Sequence, residues 1–295
     1  MNVLNQEKGK NWVLYHGDSC EVLAGMPTDS VHYSITSIPF ASLYTYSNSD
    51  RDMGNSRNYE EFAEHYKFLG VEWYRIMMPG RLVSIHCMNL PLSKQNDGFI
   101  GIRDFRGDVI RWMQSLGFIF HSEVCVWKNP VTAMQRTKAL GLLWKQLKKD
   151  SAMSRMGIPD YICTFRKPGI NPEPVSHAAE EYPVDKWQKV ASPIWDEYPS
   201  PVWWDINQSA TLQRKSARDN KDERHICPLQ LPVIERCVEL WSKPGEIVLD
   251  PFDGIGSTGY QAIKMGRRHV GIELKESYYY QAAKNLKAAE AEILK

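Results

Sequence analysis

The clearest structural signal in the chain is the stretch Ile247-Val-Leu-Asp250-Pro-Phe-Asp-Gly254-Ile-Gly256-Ser-Thr-Gly-Tyr260, which predicts a buried strand, a glycine turn and the start of a helix. Glycines let the backbone pass close to a ligand, and the first turn of a helix offers unpaired N–H groups. A second predicted strand ends at Glu273, about 20 residues further on, where a carboxylate can accept hydrogen bonds from the two hydroxyls of a ribose. The pattern predicts a site for a ribose-bearing cofactor.

The same turn favours S-adenosylmethionine over a dinucleotide. It lacks the G-x-G-x-x-G spacing of dinucleotide sites, and an acidic side chain, Asp250, stands at its start. That carboxylate would repel a pyrophosphate, whereas it suits a cofactor that carries an ammonium group.

The rest of the chain alternates predicted strands with predicted helices, which indicates an α/β sheet. The segments 118–120 and 124–127 are predicted to be two strands that pair as antiparallel neighbours. The predicted strands are Trp12–Tyr15, Val31–Thr36, Arg81–Ile85, Phe118–Phe120, Val124–Trp127, Glu246–Leu249 and His269–Ile272, and the predicted helices are Cys20–Met26, 59–77, 105–116, Leu231–Trp241, Thr258–Met265 and Ser277–Leu294.

Composition places the chain among ordinary globular proteins, since 43% hydrophobic and 24% charged residues over 295 positions exclude a disordered or fibrous chain. No apolar run reaches the roughly 18 residues of a membrane span. Residues 1–12 lack the apolar core of a signal peptide. The six cysteines are scattered without a C-x-x-C pair, so we expect neither a disulfide framework nor a metal site. A cytoplasmic location is the resulting expectation.

Charge is balanced overall but not locally. The chain has 36 Lys and Arg against 35 Asp and Glu, yet the segment from Lys128 to Pro168 carries nine basic residues against two acidic ones. Such a local excess suits a polyanion, and a solvated helix face is the alternative explanation.

Two motifs resemble those of amino-methylating DNA methyltransferases. Asp250-Pro-Phe-Asp-Gly-Ile-Gly-Ser257 resembles their S-adenosylmethionine-binding motif D-P-F-x-G-S-G-T, and Ser37-Ile-Pro-Phe40 resembles their catalytic motif D-P-P-Y or S-P-P-Y. The segment 15–27 is similar to the opening strand and turn of the family. The catalytic motif precedes the cofactor motif, as in the β-class. The resemblance implies an α/β fold with a mostly parallel Rossmann-like sheet, helices on both faces and a circularly permuted motif order.

The resemblance covers residues 1–127 and 225–295, which would form the catalytic and cofactor-binding domain. The unmatched segment 128–224 stands where the family keeps an inserted, loop-rich target-recognition region. The implied cofactor is S-adenosyl-L-methionine and the implied partner is double-stranded DNA, while a homodimer stays open and no metal is expected.

The chemistry of the family accounts for the catalytic residue types. An exocyclic amine is a poor nucleophile because its lone pair is conjugated into the ring. Two acceptors, the Ser37 hydroxyl and the Ile38 carbonyl, would hold its N–H groups and aim the lone pair at the methyl carbon. Pro39 would stiffen the turn, and Phe40 would stack on a base flipped out of the duplex. Ile38 and Phe40 replace the usual proline and tyrosine, so a degenerate, cofactor-dependent DNA-binding protein is the alternative to an active enzyme.

The resemblance also implies the remaining site residues. Asp18 would approach the cofactor adenine, with helix capping as the alternative, and His225 would close over the methionine end, with a surface or capping histidine as the alternative. The expected cofactor-binding residues are Asp18, Thr36, His225, Asp250, Pro251, Phe252, Gly254, Gly256, Ser257, Thr258 and Glu273. The expected DNA-binding residues are Tyr46, Arg51 and Arg57, in a loop that could enter the gap left by the flipped base, and Arg136, Lys138, Lys145 and Arg155, which would contact phosphates.

The target base is left between two candidates. Ser37 is the residue type often found in cytosine-N4 enzymes, whereas adenine-N6 enzymes are commoner in the β-class. We therefore predict N6 of adenine, with N4 of cytosine as the alternative. RNA or a protein amide is a third substrate class for the same kind of site.

Overall fold

The computed structural model describes residues 3–41, 51–137, 144–180, 182–191, 202–213 and 228–293, so the predicted site residues Tyr46, Lys138 and His225 lie outside it. The strands are β1 (Asn5–Lys8), β2 (Trp12–His16), β3 (Val31–Ser37), β4 (Met77–Met88), β5 (Leu90–Leu92), β6 (Gly101–Arg103), β7 (Ile119–Val126), β8 (Asp160–Arg166), β9 (Val202–Trp203), β10 (Ile247–Asp250) and β11 (Arg268–Glu273). The α-helices are α1 (Ser19–Ala24), α2 (Tyr59–Ile76), α3 (Lys94–Asp97), α4 (Phe105–Ser115), α5 (Pro130–Thr137), α6 (Trp144–Lys149), α7 (Val184–Ala191), α8 (Leu231–Trp241), α9 (Ser257–Lys264) and α10 (Glu276–Ile293). Within these ranges, no helix combines the length and apolarity needed to cross a bilayer.

One sheet organises the described chain, in the strand order β1-β2-β11-β10-β3-β4-β8-β7-β9. The five strands from β2 to β4 in this order run parallel to their neighbours. Strands β8 and β7 continue the sheet in antiparallel pairing, and β9 pairs parallel with β7. The predicted mostly parallel sheet is confirmed.

Helices cover both faces of this sheet. On β3, Tyr33 and Ile35 belong to the buried cluster that includes Val233 and Cys237 of α8. On the opposite face, the apolar residues of α1, α2 and α4 form a second buried cluster with β4, in which Trp73 is fully buried. Alternate residues of a strand point to opposite faces, so a strand buried on both sides is apolar at nearly every position.

Three differences between the predicted elements and the structure concern strands β7 and β1 and the end of helix α2. Residues 119–126 form the single strand β7, not two strands, because pairing with β8 continues past a register shift between Phe120 and Ser122. The polar run at this shift has the composition of a turn but is a bulge within a strand. Strand β1 was not predicted, since its residues are polar and it forms only by backbone pairing with β2. Helix α2 ends at Ile76, and 77–80 already belong to β4.

The segment 128–224 supplies two strands of the main sheet. Strand β8 lies between β4 and β7, with Ile162 and Phe165 fully buried, and β9 lies at the edge. These two strands thus join the main sheet, although the basic residues on both sides of β8 masked its apolar pattern; the division of the chain at 128 and 224 stays a prediction. The rest of the segment keeps its predicted role in target recognition, and that role stays a prediction.

Candidate active site

The catalytic and cofactor motifs meet at one edge of the sheet. Strands β3 and β10 are parallel neighbours, with Leu249 paired to Ser34, and the Ser34 hydroxyl donates to the Leu249 carbonyl at 2.9 Å. Ser37 and Asp250 lie just beyond this pair, at the carboxyl ends of their strands. Ligands of open α/β sheets bind at this edge.

The glycine turn after β10 depends on two left-handed residues. Gly254 has φ +57° and Gly256, which caps α9, has φ +82°. A Cβ on Gly256 would lie 3.2 Å from Ala282 of α10, so this side of the turn is closed by packing. Among the described residues, a Cβ on Gly254 would meet only the Phe252 carbonyl oxygen, at 4.0 Å. The turn therefore presents its open side at Gly254.

Asp250 is held in place from two directions. Its Oδ1 accepts from the Phe252 N–H at 2.9 Å, and its Oδ2 accepts from the Thr258 hydroxyl at 2.7 Å. Burial and the neighbouring Asp253 carboxylate raise the pKa of Asp250 to about 7, although the hydroxyls of Thr36 and Thr258 oppose the rise. The carboxyl thus titrates near neutrality, and a positive charge beside it would favour its ionised form.

Glu273, at the end of β11, is also fixed by the backbone. Its Oε2 accepts from the Gly254 N–H at 2.8 Å and its Oε1 from the Lys275 N–H at 2.7 Å. Burial raises the pKa of Glu273 to about 8, against the effect of these two donors. A carboxylate has about four lone-pair sites, so each oxygen keeps one for a hydroxyl of a ligand.

A buried histidine–aspartate pair that was not predicted links the glycine turn to the sheet. His269 Nε2 lies 3.2 Å from Asp253 Oδ1, and its Nδ1 lies 3.1 Å from the Val248 carbonyl oxygen. Burial by itself lowers the pKa of His269, but the Asp253 carboxylate outweighs it, so the pKa lies above its ordinary value. The pair ties the turn to both β10 and β11.

Asp18 caps α1, accepting from the Cys20 N–H at 2.8 Å. The neighbouring Gly17 N–H donates to the Glu273 carbonyl at 3.0 Å, so the β2 turn adjoins the cofactor strands. Approach of Asp18 to the cofactor adenine stays a prediction. Arg51, predicted to enter the gap left by the flipped base, pairs with Glu21 of α1 and lies 3.9 Å from Asp18, so entry into that gap requires this pairing to open.

The four residues of the catalytic motif differ in exposure. The half-buried Ser37 places its Oγ 2.8 Å from His86 Nδ1. Ile38 is 1% exposed and packs in the core, which fixes the backbone at the position where the family has proline. Pro39 is half-buried. Phe40 is 8% exposed and packs near His86, so its predicted stacking on a base requires the ring to turn outward.

Behind Ser37 lies a polar chain that sequence reasoning missed. His86 Nε2 is 3.0 Å from Asp160 Oδ2, and Lys128 Nζ is 2.5 Å from Asp160 Oδ1. Asp160 is 1% exposed. Burial alone would raise the pKa of Asp160, but Lys128 and His86 outweigh it and lower the value to about 2. His86 lies two residues before the end of β4 and Asp160 is the first residue of β8, and no local pattern connects them.

The predicted DNA-binding residues fall into different environments. The Arg57 side chain is 86% exposed and pairs with Glu61 at 2.8 Å. Lys145 is exposed on the basic helix α6. Arg155 is partly buried and donates to the Gly101 carbonyl. Arg136 lies in α5. Contact of these residues with DNA stays a prediction.

One group of potential metal ligands occurs among the described residues, consisting of His32, Glu173 and Glu246. Both carboxylate oxygens of Glu246 accept from the buried Arg81 guanidinium. His32 Nδ1 accepts from the Ile247 N–H at 3.3 Å, and burial lowers the pKa of His32. These contacts explain the cluster as a structural ion-pair network.

The edge at Asp250 and Glu273 fits S-adenosyl-L-methionine. The carboxyl groups of Asp250 and Glu273 lie at this edge, where they can accept hydrogen bonds from hydroxyl groups and attract a positive charge. The glycine turn is open at Gly254. In addition, the buried Ser257 hydroxyl at the start of α9 has no hydrogen-bond partner within the described ranges. An unsatisfied buried hydroxyl at such an edge is suited to a polar ligand.

Comparison with known proteins agrees with this geometry. A family model described as DNA methylase, for the N6/N4 methyltransferases, matches residues 31–284. The type II methyltransferase M.BglII of Bacillus subtilis is 25% identical over 275 residues, covering 90% of this chain and 66% of that enzyme. TTHA0409 of Thermus thermophilus, solved in complex with S-adenosyl-L-methionine, superimposes with a TM-score of 0.67 at 25% identity, covering 94% and 93% of the two chains.

A third similarity concerns the fold alone. The PvuII DNA methyltransferase, which is cytosine-N4-specific, has a TM-score of 0.66 at 17% identity, covering 99% of this chain and 96% of that one. The family model matches most of the chain, and the catalytic and cofactor motifs of that family lie together at one edge of the sheet. The chain belongs to the N6/N4 family of DNA methylases.

Proposed function

We propose that this chain transfers a methyl group from S-adenosyl-L-methionine to the exocyclic amine of a base flipped out of duplex DNA. The observation that carries the proposal is the placement of Ser37 beside the Asp250 turn, at the carboxyl ends of the neighbouring strands β3 and β10. The complex of TTHA0409 with S-adenosyl-L-methionine supports the choice of cofactor.

When bound, the cofactor supplies an electrophilic methyl group. Glu273, fixed by the Gly254 and Lys275 N–H groups, would accept from the ribose hydroxyls. The Asp250 carboxyl group would attract the positively charged end of the cofactor. Each residue is held by the backbone before the ligand arrives, so little ordering remains to be done on binding.

Ser37 and Ile38 would hold the target amine. The Ser37 oxygen and the Ile38 carbonyl accept its two N–H groups, which frees the nitrogen lone pair for attack. Burial of the Ile38 side chain fixes this backbone, so the departure from proline preserves the acceptor. We therefore propose an active enzyme over a degenerate one.

For the target base we propose N6 of adenine, on the frequency of adenine-N6 enzymes in the β-class. N4 of cytosine is the alternative, because serine at position 37 is the residue type of many cytosine-N4 enzymes. Both bases present an amine that the same pair of acceptors can hold.

The test is methyl transfer to unmodified plasmid DNA, followed by digestion to nucleosides and mass spectrometry. N6-methyladenine supports the proposal in full, and N4-methylcytosine corrects the base. Ser37→Ala should abolish transfer while cofactor affinity, measured by calorimetry, is retained. The matched control is Ser115→Ala, which removes an exposed serine of α4. Cofactor binding without transfer in the wild type would favour the degenerate alternative, and preferential labelling of RNA would replace DNA as the substrate.

We also propose that the parts of 128–224 outside β8 and β9 contact the duplex. Helix α6 carries three exposed lysines, which suit phosphates: Lys145, Lys148 and Lys149. Neutralising these lysines together should weaken DNA binding without changing cofactor affinity. Equal DNA affinity of the triple alanine variant and the wild type, in a gel-shift titration, would contradict this assignment.

A further inference from the structure

We propose that His86, held by Asp160, directs the Ser37 hydroxyl proton away from the substrate amine and accepts a proton through Ser37 when the methyl group is transferred. The inference rests on the proposed function, and it concerns residues outside the two sequence motifs. Three contacts form the chain: 2.8 Å from Ser37 Oγ to His86 Nδ1, 3.0 Å from His86 Nε2 to Asp160, and 2.5 Å from Asp160 to Lys128.

The charge state of Asp160 determines the tautomer of His86. The Lys128 ammonium favours the ionised form of the buried Asp160, and an ionised carboxylate can only accept hydrogen bonds. The facing nitrogen, Nε2, therefore carries the proton of the neutral imidazole. Nδ1 is then an acceptor, and the hydroxyl of Ser37 must donate to it.

This direction matters for the reaction. A serine hydroxyl that is free to rotate could donate its proton to the amine nitrogen and occupy the lone pair that attacks the methyl group. With its proton committed to His86, the Ser37 oxygen offers only lone pairs to the target. It therefore accepts from the amine N–H, which increases electron density on the nitrogen.

The proton that the amine loses moves along the same contacts. A nitrogen–carbon bond forms, the carbon–sulfur bond of the sulfonium breaks with its electron pair kept on sulfur, and the amine is left with one proton in excess. That proton passes to the Ser37 oxygen as the Ser37 proton passes to His86 Nδ1. The resulting imidazolium lies 3.0 Å from the Asp160 carboxylate, which stabilises it until the proton leaves to solvent.

Within the described residues, the other titratable groups around the contacts of Ser37, His86, Asp160 and Lys128 are paired or neutral. The hydrogen bond to Cys163, together with burial, raises the pKa of Cys87, and burial raises the pKa of Cys125, so both thiols stay neutral. On the side of α4, Arg106 pairs with Glu123 of β7 at 2.6 Å. Asp160 and Lys128 are therefore the charges that act on His86.

The first experiment measures single-turnover methyl transfer against pH at saturating cofactor, so that the ionisation of Asp250 and Glu273 does not limit binding. His86→Gln keeps an acceptor for Ser37 and a donor for Asp160 but cannot take up a proton. We expect its rate to fall about 100-fold and its acidic limb to disappear, within the range of general-base effects. Asp160→Asn should move the acidic limb of the wild-type profile to lower pH, because the imidazolium loses its counter-ion. A His86→Gln rate within about threefold of the wild type, or an Asp160→Asn profile that does not move, would overturn the proposal.

A second measurement does not depend on activity. Nitrogen-15 NMR of the histidine side chains should show His86 as the Nε2–H tautomer with unprotonated Nδ1, and Ser37→Ala should shift the Nδ1 resonance. The opposite tautomer overturns the inference even in a protein that methylates DNA. A wild type that shows the expected tautomer and transfers no methyl group to DNA instead refutes the proposed function.

Discussion

Alanine at Gly254 should weaken cofactor binding with little more effect on folding than alanine at Gly245. Both glycines are left-handed, with φ +57° and +83°, and a Cβ at either position would meet no atom of the described residues closer than 4.0 Å. The left-handed backbone costs alanine about 1–2 kcal/mol, and the reduced entropy of the unfolded chain offsets part of it. We expect each variant to lose about 1 kcal/mol of stability, or about 1–2 °C in Tm.

The two positions differ in what the added methyl group would face. Gly245 lies in the turn before β10, at the opposite end of that strand from the site, whereas Gly254 borders the proposed cofactor edge and donates its N–H to Glu273. A methyl group forced into a packed contact costs about 1–3 kcal/mol, which corresponds to a rise in Kd of about 5-fold to 150-fold. Gly245→Ala should leave Kd unchanged.

Calorimetric titration with S-adenosyl-L-methionine and thermal denaturation of the unliganded proteins measure the two quantities separately. An unchanged Kd for Gly254→Ala would refute the placement of the cofactor over this turn. An equal loss of affinity in both variants would show that backbone strain alone explains the effect.

Three further predictions follow from buried charges and from the basic helix. Glu246→Gln removes the counter-ion of the buried Arg81 guanidinium, so the free energy of unfolding in urea should fall by about 3–5 kcal/mol, and a loss below about 1 kcal/mol would contradict this. The folded-state pKa values of Glu273 and Asp250, about 8 and about 7, lie above the ordinary 4.5 and 3.8, so their contribution to stability falls as pH rises through this window. A bound cation favours the ionised forms, so cofactor binding at pH 7 should release protons; a binding enthalpy that is independent of the buffer would count against it. Lys145→Ala should reduce the slope of log DNA affinity against log salt by about 1, and an unchanged slope excludes a phosphate contact there.

Local patterns predicted most of the parallel strands and the position of the catalytic and cofactor motifs at strand ends. The strands on either side of Gly254 and the carboxylate of Glu273 could be predicted because strand, turn and helix follow one another within a short stretch. Strand β8 could not be separated from the basic segment around it, since its assignment to the sheet depends on pairing with β4 and β7. The same holds for β1, which has no apolar pattern of its own.

The amino-acid sequence alone was sufficient for the family and the cofactor class, because each is encoded in a contiguous run of residues; the acceptor roles of Ser37 and Ile38 stay a prediction. Tertiary structure was needed for the partners of those residues. Strand pairing brings His86 to Ser37 and Asp160 to His86, and burial with Lys128 keeps Asp160 ionised. Tertiary structure likewise turned Arg51 toward α1 and buried the ring of Phe40. Distances between segments that are remote in the chain, and the dielectric environment that packing creates, arise only when the chain has folded.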